Sequence, residues 1–230
     1  MTTCTASVPD KDASGDTFYG QFICAQQYID YFWNAYGFSD GGDYWHNGFG
    51  YEDACNTDLP LARTFNGCYA LTYSAEDYAN DAYDAPQNIL QWGRRYVREQ
   101  IDDLRAGCGD GTADADSETG FFVDDHVDLF LGFFYSETVP WRASTLIHEA
   151  RHQGGKDHNA NFPAWSIFGP GQPGADSDWD YQGAFTFAVG YLAWFHAAGA
   201  RTTSAMRESA RQAGNLYIDN AFATPPPFHI

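Results

Sequence analysis

Apolar residues recur at helical spacing in five segments of the chain, and residues that start or stop helices bound several of them. Gly37 ends the first segment, Ser74 opens a run typical of a helix start, and Pro140 lies near the start of a later segment. The pattern predicts helices at about 16–36, 74–106 with a break or restart at Pro86, 140–153, 184–198 and 203–221.

Two other segments alternate apolar and polar residues, as half-buried strands do. One covers 64–73 and the other covers 121–135, where Val127, Leu129 and Leu131 share one side. Helices outnumber strands, so the pattern predicts one helix-rich α+β domain. Glycine-rich or acidic loops are expected at 39–56, 109–120 and 159–183.

Composition narrows the classes of function. The chain has 230 residues, with 31 acidic and 12 basic side chains, a formal net charge of −19, 44% hydrophobic residues and 17% aromatic residues. This aromatic content excludes a disordered acidic tail, and the negative charge argues against nucleic acid and membrane surfaces as partners. No apolar run reaches the 18 residues that indicate a membrane-spanning helix.

The number and spacing of the cysteines indicate in which cellular compartment the protein resides. Cys4, Cys24, Cys55, Cys68 and Cys108 show no C-x-x-C spacing, which argues against a thiolate zinc site. We expect two disulfides and one free thiol, with buried thiols in a cytosolic protein as the alternative. The first residues lack the basic and apolar regions of a signal peptide. Because Tyr and Trp are abundant and Lys is rare, we nevertheless expect a secreted or periplasmic protein.

The predicted helix at 140–153 contains the HExxH sequence HEARH. Residues four apart lie on one side of a helix, so His148 and His152 can bind the same zinc ion. Glu149 can reach water at the metal without binding the metal itself, which suits a general base. The helix then stops at a glycine pair, and His158 follows from the turn as a third imidazole.

The eleven residues HEARHQGGKDH match the pattern HExxHxxGxxH, and the chain therefore resembles the metzincin group of zinc metallopeptidases. The resemblance implies that His148, His152 and His158 bind one catalytic zinc ion and that Glu149 is the general base. It implies a zincin-like domain with a small twisted sheet, an active-site helix and a helical C-terminal lobe. The substrate would lie in the cleft between lobes of about 1–155 and 156–230.

Further residues are candidates to support this metal site. Gly155 lies where the chain must reverse, and glycine adopts positive φ there at no steric cost. Met206 is the sole internal methionine, and the resemblance implies that it lies in a turn below the metal. Asp178 and Asp180 are candidates to hydrogen-bond a ligand imidazole.

Calcium is a weaker expectation. Asp114, Asp116 and Glu118 alternate as in a calcium-binding loop. The loop nevertheless lacks the glycine at its sixth position and the glutamate at its twelfth position that such loops carry. A solvated acidic turn is the simpler interpretation of this segment.

The sequence thus predicts a monomeric zinc endopeptidase that cleaves protein or peptide substrates. Glu149 would take a proton from water activated at the metal and deliver it to the leaving nitrogen. The strand at 127–135 is expected to form a sheet edge along which the peptide lies.

Two alternatives remain open. One is a zinc hydrolase that acts on a non-peptide amide or ester, and the other is a non-catalytic binding protein stabilised by the metal. A fourth protein ligand, such as Asp157 or Asp180, would favour the binding protein because it would close the position that catalysis needs.

Overall fold

The computed structural model describes residues 26–39, 44–109, 113–118 and 126–230. Helices dominate these residues and a small mixed sheet accompanies them, which confirms the helix-rich α+β class. The helices are α1 Gln26–Ala35, α2 Pro60–Tyr73, α3 Ile89–Gln100, α4 Leu131–Tyr135, α5 Val139–Gln153, α6 Ala184–Ala198 and α7 Ser204–Asn220. The strands are β1 Leu104–Ala106, β2 Ala115–Glu118, β3 His126–Leu129, β4 Ala160–Asn161 and β5 Pro173–Ala175.

Helix α5 lies at the centre of the described structure. It packs against α2, α3, α6, α7 and β2. Its side chains Ala143, Leu146, Ile147 and Ala150 are completely buried. One continuous core surrounds it and draws residues from both sides of Gly155. The division into lobes at about residue 155 stays a prediction.

The ends of α5 follow from local sequence, and the prediction for 140–153 is confirmed. Pro140 stands in the first turn, where its missing N–H costs no helical hydrogen bond. At the other end the N–H of Gly154 donates to the carbonyl of Ala150 at 2.9 Å. Gly155 then adopts a left-handed φ of +79° with open space around it, as the sequence led us to expect.

The three-stranded sheet has the order β1-β3-β2, with β1 parallel and β2 antiparallel to β3. The expectation of an edge strand at 127–135 is wrong, because β3 lies between two strands and residues 131–135 form α4. Val127 and Leu129 are completely buried. The edge next to α5 is instead β2, within the segment predicted to be an acidic loop.

Two further predictions are corrected. The segment 64–73 belongs to helix α2 and is not a strand; because nearly all of α2 is buried, its apolar residues show no reliable period. Ser74 ends this helix and does not start the next one. Helix α3 begins after Asn88, whose side chain accepts hydrogen bonds from two backbone N–H groups in the first turn. Strand β1, and not helix, occupies 104–106.

The predictions for 184–198 and 203–221 are confirmed by α6 and α7. The predicted helix at 16–36 is confirmed for Gln26–Ala35, and its earlier part lies outside the described residues. No helix in the described ranges is long and apolar enough to cross a membrane.

The state of two cysteines, Cys108 and Cys68, bears on the disulfide prediction. Cys108 is disulfide-bonded, and Cys68 is a thiol buried within α2. Burial raises the pKa of the Cys68 thiol well above its ordinary value. Two of the five cysteines are thiols, and the other three can form only one disulfide within the chain, so the expectation of two disulfides is wrong. Cys4 and Cys24 lie outside the described residues.

Phe65 provides a test of the helical packing of α2. It is completely buried, and its ring centroid lies 5.0 Å from that of Phe38. Phe65→Ala should lower the free energy of unfolding by about 3–5 kcal/mol in urea denaturation, because it leaves a cavity in the core. Tyr83→Ala, at an exposed loop position, should change it by less than about 0.5 kcal/mol. Equal effects of the two substitutions would contradict this packing.

Candidate metal centre

Three histidines converge on one point beside the central helix. His148 and His152 lie one turn apart on α5, and His158 returns to them after the turn at Gly155. Their ring centroids are 4.6–5.0 Å apart. One nitrogen of each ring can be chosen so that all three lie within 4.8 Å of one another. This is a group that could hold a metal ion.

The spacing and protonation of these rings fit a metal. The Nε2 atoms of His148 and His152 are 3.1 Å apart, against about 3.3 Å for two imidazole nitrogens on a tetrahedral zinc ion. Burial, with the neighbouring histidines, lowers the pKa of His148 well below its ordinary value. Burial and then His158 lower the pKa of His152 to about 4. Both rings are therefore neutral at neutral pH and present lone pairs. Such a donor set suits zinc, and also copper, nickel or cobalt.

Hydrogen bonds to the other ring nitrogens orient two of the histidines. The Nδ1 atom of His152 donates to the carbonyl of Lys156 at 2.9 Å. The Nδ1 atom of His158 donates to Oδ1 of Asp176 at 2.9 Å, and Asp176 is completely buried. Each bond fixes the tautomer that leaves Nε2 available to a metal. The Nδ1 atom of His148 is buried and has no hydrogen-bond partner among the described residues.

Asp176 is the residue that the sequence analysis missed. Asp178, which had been a candidate for this role, instead caps the 3₁₀ helix at Trp179–Tyr181 by accepting a hydrogen bond from the N–H of Tyr181. Pairing of β4 with β5 places Ala160 opposite Ala175 and thereby brings Asp176 next to His158. Strand β4 has only two residues, and β5 has three, of which two are proline and glycine. Their sequence pattern is therefore too weak to predict this pairing.

Glu149 is buried next to the histidines, with 5% of its surface exposed. Burial, and then the charge of Asp116, raise the pKa of its carboxyl group to about 8. Glu149 lines the same cavity as the three histidines. Its carboxyl group therefore borders the cavity beside the candidate metal centre.

The cavity has a volume of about 850 Å³. Its walls come from β2, from α5, from the segment 162–174, and from α6 and α7. Residues that precede Gly155 and residues that follow it thus both border the cavity. Phe185 forms the wall beside the metal centre, because its ring lies 4.4 Å from His148 and 5.0 Å from His158.

Met206 is not among the described residues that line the cavity. It is completely buried in the first turn of α7. Ser209, one turn later, donates a hydrogen bond to Thr138 at 2.7 Å. Thr138 precedes His148 by ten residues, or about 15 Å along a helix. This hydrogen bond places the beginning of α7 beside the start of α5. The role of Met206 at the metal centre stays a prediction.

No carboxylate of the described residues joins the histidines as a ligand. Within the described part of the chain, the three histidines are the only group whose ligand atoms converge. Asp157 and Asp180 do not supply a fourth ligand, and the acidic residues of β2 do not form a second metal-binding group. The structure thus adds nothing in favour of calcium.

The bond between Asp176 and His158 can be tested by mutation. Asp176→Asn should weaken zinc binding by about 10–100-fold, because an amide that donates to Nδ1 leaves the proton on Nε2. Asp178→Asn removes the same charge two residues away and should leave zinc affinity within about twofold. Competition with a chromogenic chelator measures both affinities. Equal losses in the two variants would show that charge, and not the hydrogen bond, controls binding.

No protein-family profile, curated protein or solved structure matches this chain. Inference about function therefore rests on the residues of the site itself.

Proposed function

We propose that this protein is a metal-dependent hydrolase, specifically a zinc endopeptidase of the metzincin kind. The observation that carries the proposal is the placement of Glu149 beside three converging imidazoles in a large cavity. A structural zinc site generally has four protein ligands, whereas a catalytic one keeps a position open. Three histidines without a fourth ligand from the described residues favour the catalytic type over a metal-stabilised binding protein.

His148, His152 and His158 would hold the zinc ion. Once bound, zinc supplies a Lewis acid that polarises a carbonyl group and makes water more acidic. Glu149 accepts a proton from the attacking water as the C–O bond forms. It then delivers that proton to the amide nitrogen as the C–N bond breaks. Burial raises the pKa of Glu149, which makes its carboxylate a stronger base for the first step.

Two features favour a peptide as the substrate. The cavity is bordered by β2, which lies at the edge of its sheet, and an extended peptide can add to such an edge through backbone hydrogen bonds. The cavity is also long enough to take side chains on one side of the metal centre, since it runs from the histidines to Tyr217. These features support the cleft between two lobes that the metzincin resemblance implies.

We further propose that the protein acts as a monomer in a secreted or periplasmic setting. The disulfide at Cys108 supports this, because disulfides persist in oxidising compartments. The formal net charge of −19 supports a partner that is neither nucleic acid nor an anionic membrane.

Glu149→Ala separates the catalytic role from metal binding. The variant should retain one equivalent of zinc, measured by atomic absorption, because Glu149 is not a ligand. Its cleavage of an unfolded protein should fall by about 10²–10⁴-fold, because the proton acceptor is lost. Glu99→Ala, which changes an exposed glutamate on α3, should cleave as the wild type does. Undiminished cleavage by the Glu149 variant would refute the mechanism.

A wild-type protein that hydrolyses small esters or amides but no peptide would favour the non-peptide hydrolase.

Metal removal provides a separate test. Dialysis against a chelator should abolish cleavage, and stoichiometric zinc should restore it. Zinc should also stabilise the fold, by about 2.7 kcal/mol at a free concentration of 100 times Kd. His152→Ala should lose this stabilisation, whereas His46→Ala, in an exposed loop, should keep it. Full activity of metal-free protein would exclude a role for the metal in the reaction.

A further inference from the structure

A second buried carboxyl group faces the same cavity about one helical turn from Glu149. Glu137 precedes α5 and has only 3% of its surface exposed. Its Oε1 atom accepts a hydrogen bond from the hydroxyl of Thr145 at 2.8 Å. Thr145 precedes His148 and Glu149 by three and four residues, which places it on their side of α5 about 4.5–6 Å further along the axis.

The other carboxyl oxygen of Glu137 has no hydrogen-bond partner in the part of the chain that the structure describes. Oε2 is buried and makes no hydrogen bond within the described residues. Arg142 is near enough to act on the charge, but no ion pair joins it to Glu137. Burial, and then the carboxylates of Asp114 and Glu149, raise the pKa of Glu137 well above its ordinary value. Buried polar atoms in proteins are nearly always hydrogen-bonded, so this oxygen calls for an external partner.

Aromatic rings connect the metal centre to Glu137. Phe185 contacts the histidines on one side and lies 5.2 Å from Tyr217 on the other. The ring of Phe168 lies 5.8 Å from Tyr217. Trp141 donates its indole N–H to the hydroxyl of Tyr217 at 2.5 Å, and Thr145 lies 3.5 Å from the same hydroxyl. The wall thus ends at the Glu137 carboxyl group.

Apart from the histidines and Tyr217, the acid–base groups among the described residues that line the cavity are all carboxyl groups. Four carboxyl groups line it, and no lysine or arginine is among its described lining residues. None of the four forms an ion pair with a described residue. A long cationic side chain suits such a space, because its methylene groups pack on aromatic rings while its charged end meets a carboxylate.

Building on the proposed endopeptidase activity, we propose that Glu137 forms the end of a subsite for a lysine or arginine side chain next to the scissile bond. The Oε2 atom of Glu137 accepts a hydrogen bond from the ammonium or guanidinium group. The stem of the side chain lies against Phe168, Phe185 and Tyr217. The substrate class is therefore peptides with a basic residue at the cleavage site.

Matched peptides test the selectivity of the zinc-loaded protein. A set that differs at one position, with lysine, norleucine or acetyl-lysine, should show kcat/KM at least tenfold higher for lysine than for either neutral residue. Glu137→Gln keeps the shape and an oxygen for Thr145 but loses the charge, and the lysine-to-norleucine ratio should fall at least tenfold. Glu99→Gln removes an exposed charge on α3 and should leave this ratio unchanged.

A binding measurement separates this inference from the proposed function. Zinc-loaded Glu149→Ala protein should bind a fluorescent lysine peptide at least tenfold more tightly than its norleucine counterpart, by anisotropy. The double variant that carries both Glu149→Ala and Glu137→Gln should bind the two peptides with equal affinity. Preferential binding that depends on Glu137, without any cleavage by the wild type, would support the subsite and defeat the endopeptidase.

Cleavage without preference for basic residues would overturn the subsite and leave the endopeptidase standing. Equal binding of the two peptides would overturn the subsite as well. Circular dichroism checks that Glu137→Gln folds. If that variant does not fold, the wild-type comparison of lysine with acetyl-lysine decides, because acetylation removes the charge and keeps the stem.

Discussion

The buried carboxylate of Asp176 holds the candidate site together. Its side chain accepts hydrogen bonds from the imidazole of His158 and from the N–H of Phe185 at the start of α6. Its backbone bonds to Ala221 and Ala223, just after α7. One residue therefore fixes the third histidine, the first turn of α6 and the chain that follows α7. A buried charge is tolerated when hydrogen bonds surround it in this way, and loss of one partner is costly.

Sequence reasoning worked best where local signals define an element. Pro140 and Gly154 bound α5, and the apolar run that becomes α6 is long enough to be recognised as a helix. It failed for α2, where burial on nearly all sides removes the contrast between apolar and polar positions. It also failed for β2, whose acidic sequence is typical of a loop and whose strand state depends on pairing with β3.

Some residues of the candidate site were likewise predictable from local sequence, and others were not. His148, Glu149, His152 and His158 were predictable because a helix and one turn place them together. Asp176 was not, since it reaches His158 across 18 residues of chain through a pairing of two very short strands. Glu137 lies before α5, and no short-range pattern indicates that its side chain folds back along the helix to Thr145. Both residues depend on tertiary packing.

The acidic edge formed by β2 has a consequence for self-association. Exposed sheet edges are sites where identical chains tend to pair and aggregate. Here Asp116 and Glu118 are exposed on the edge strand, so two copies meeting edge to edge would bring carboxylates together. Such like-charge repulsion disfavours dimers and fibrils in which two copies of this edge pair. A strand of another molecule that has no acidic residues would not meet this repulsion. The strand that we propose to receive the substrate is thereby protected from pairing with its own copies.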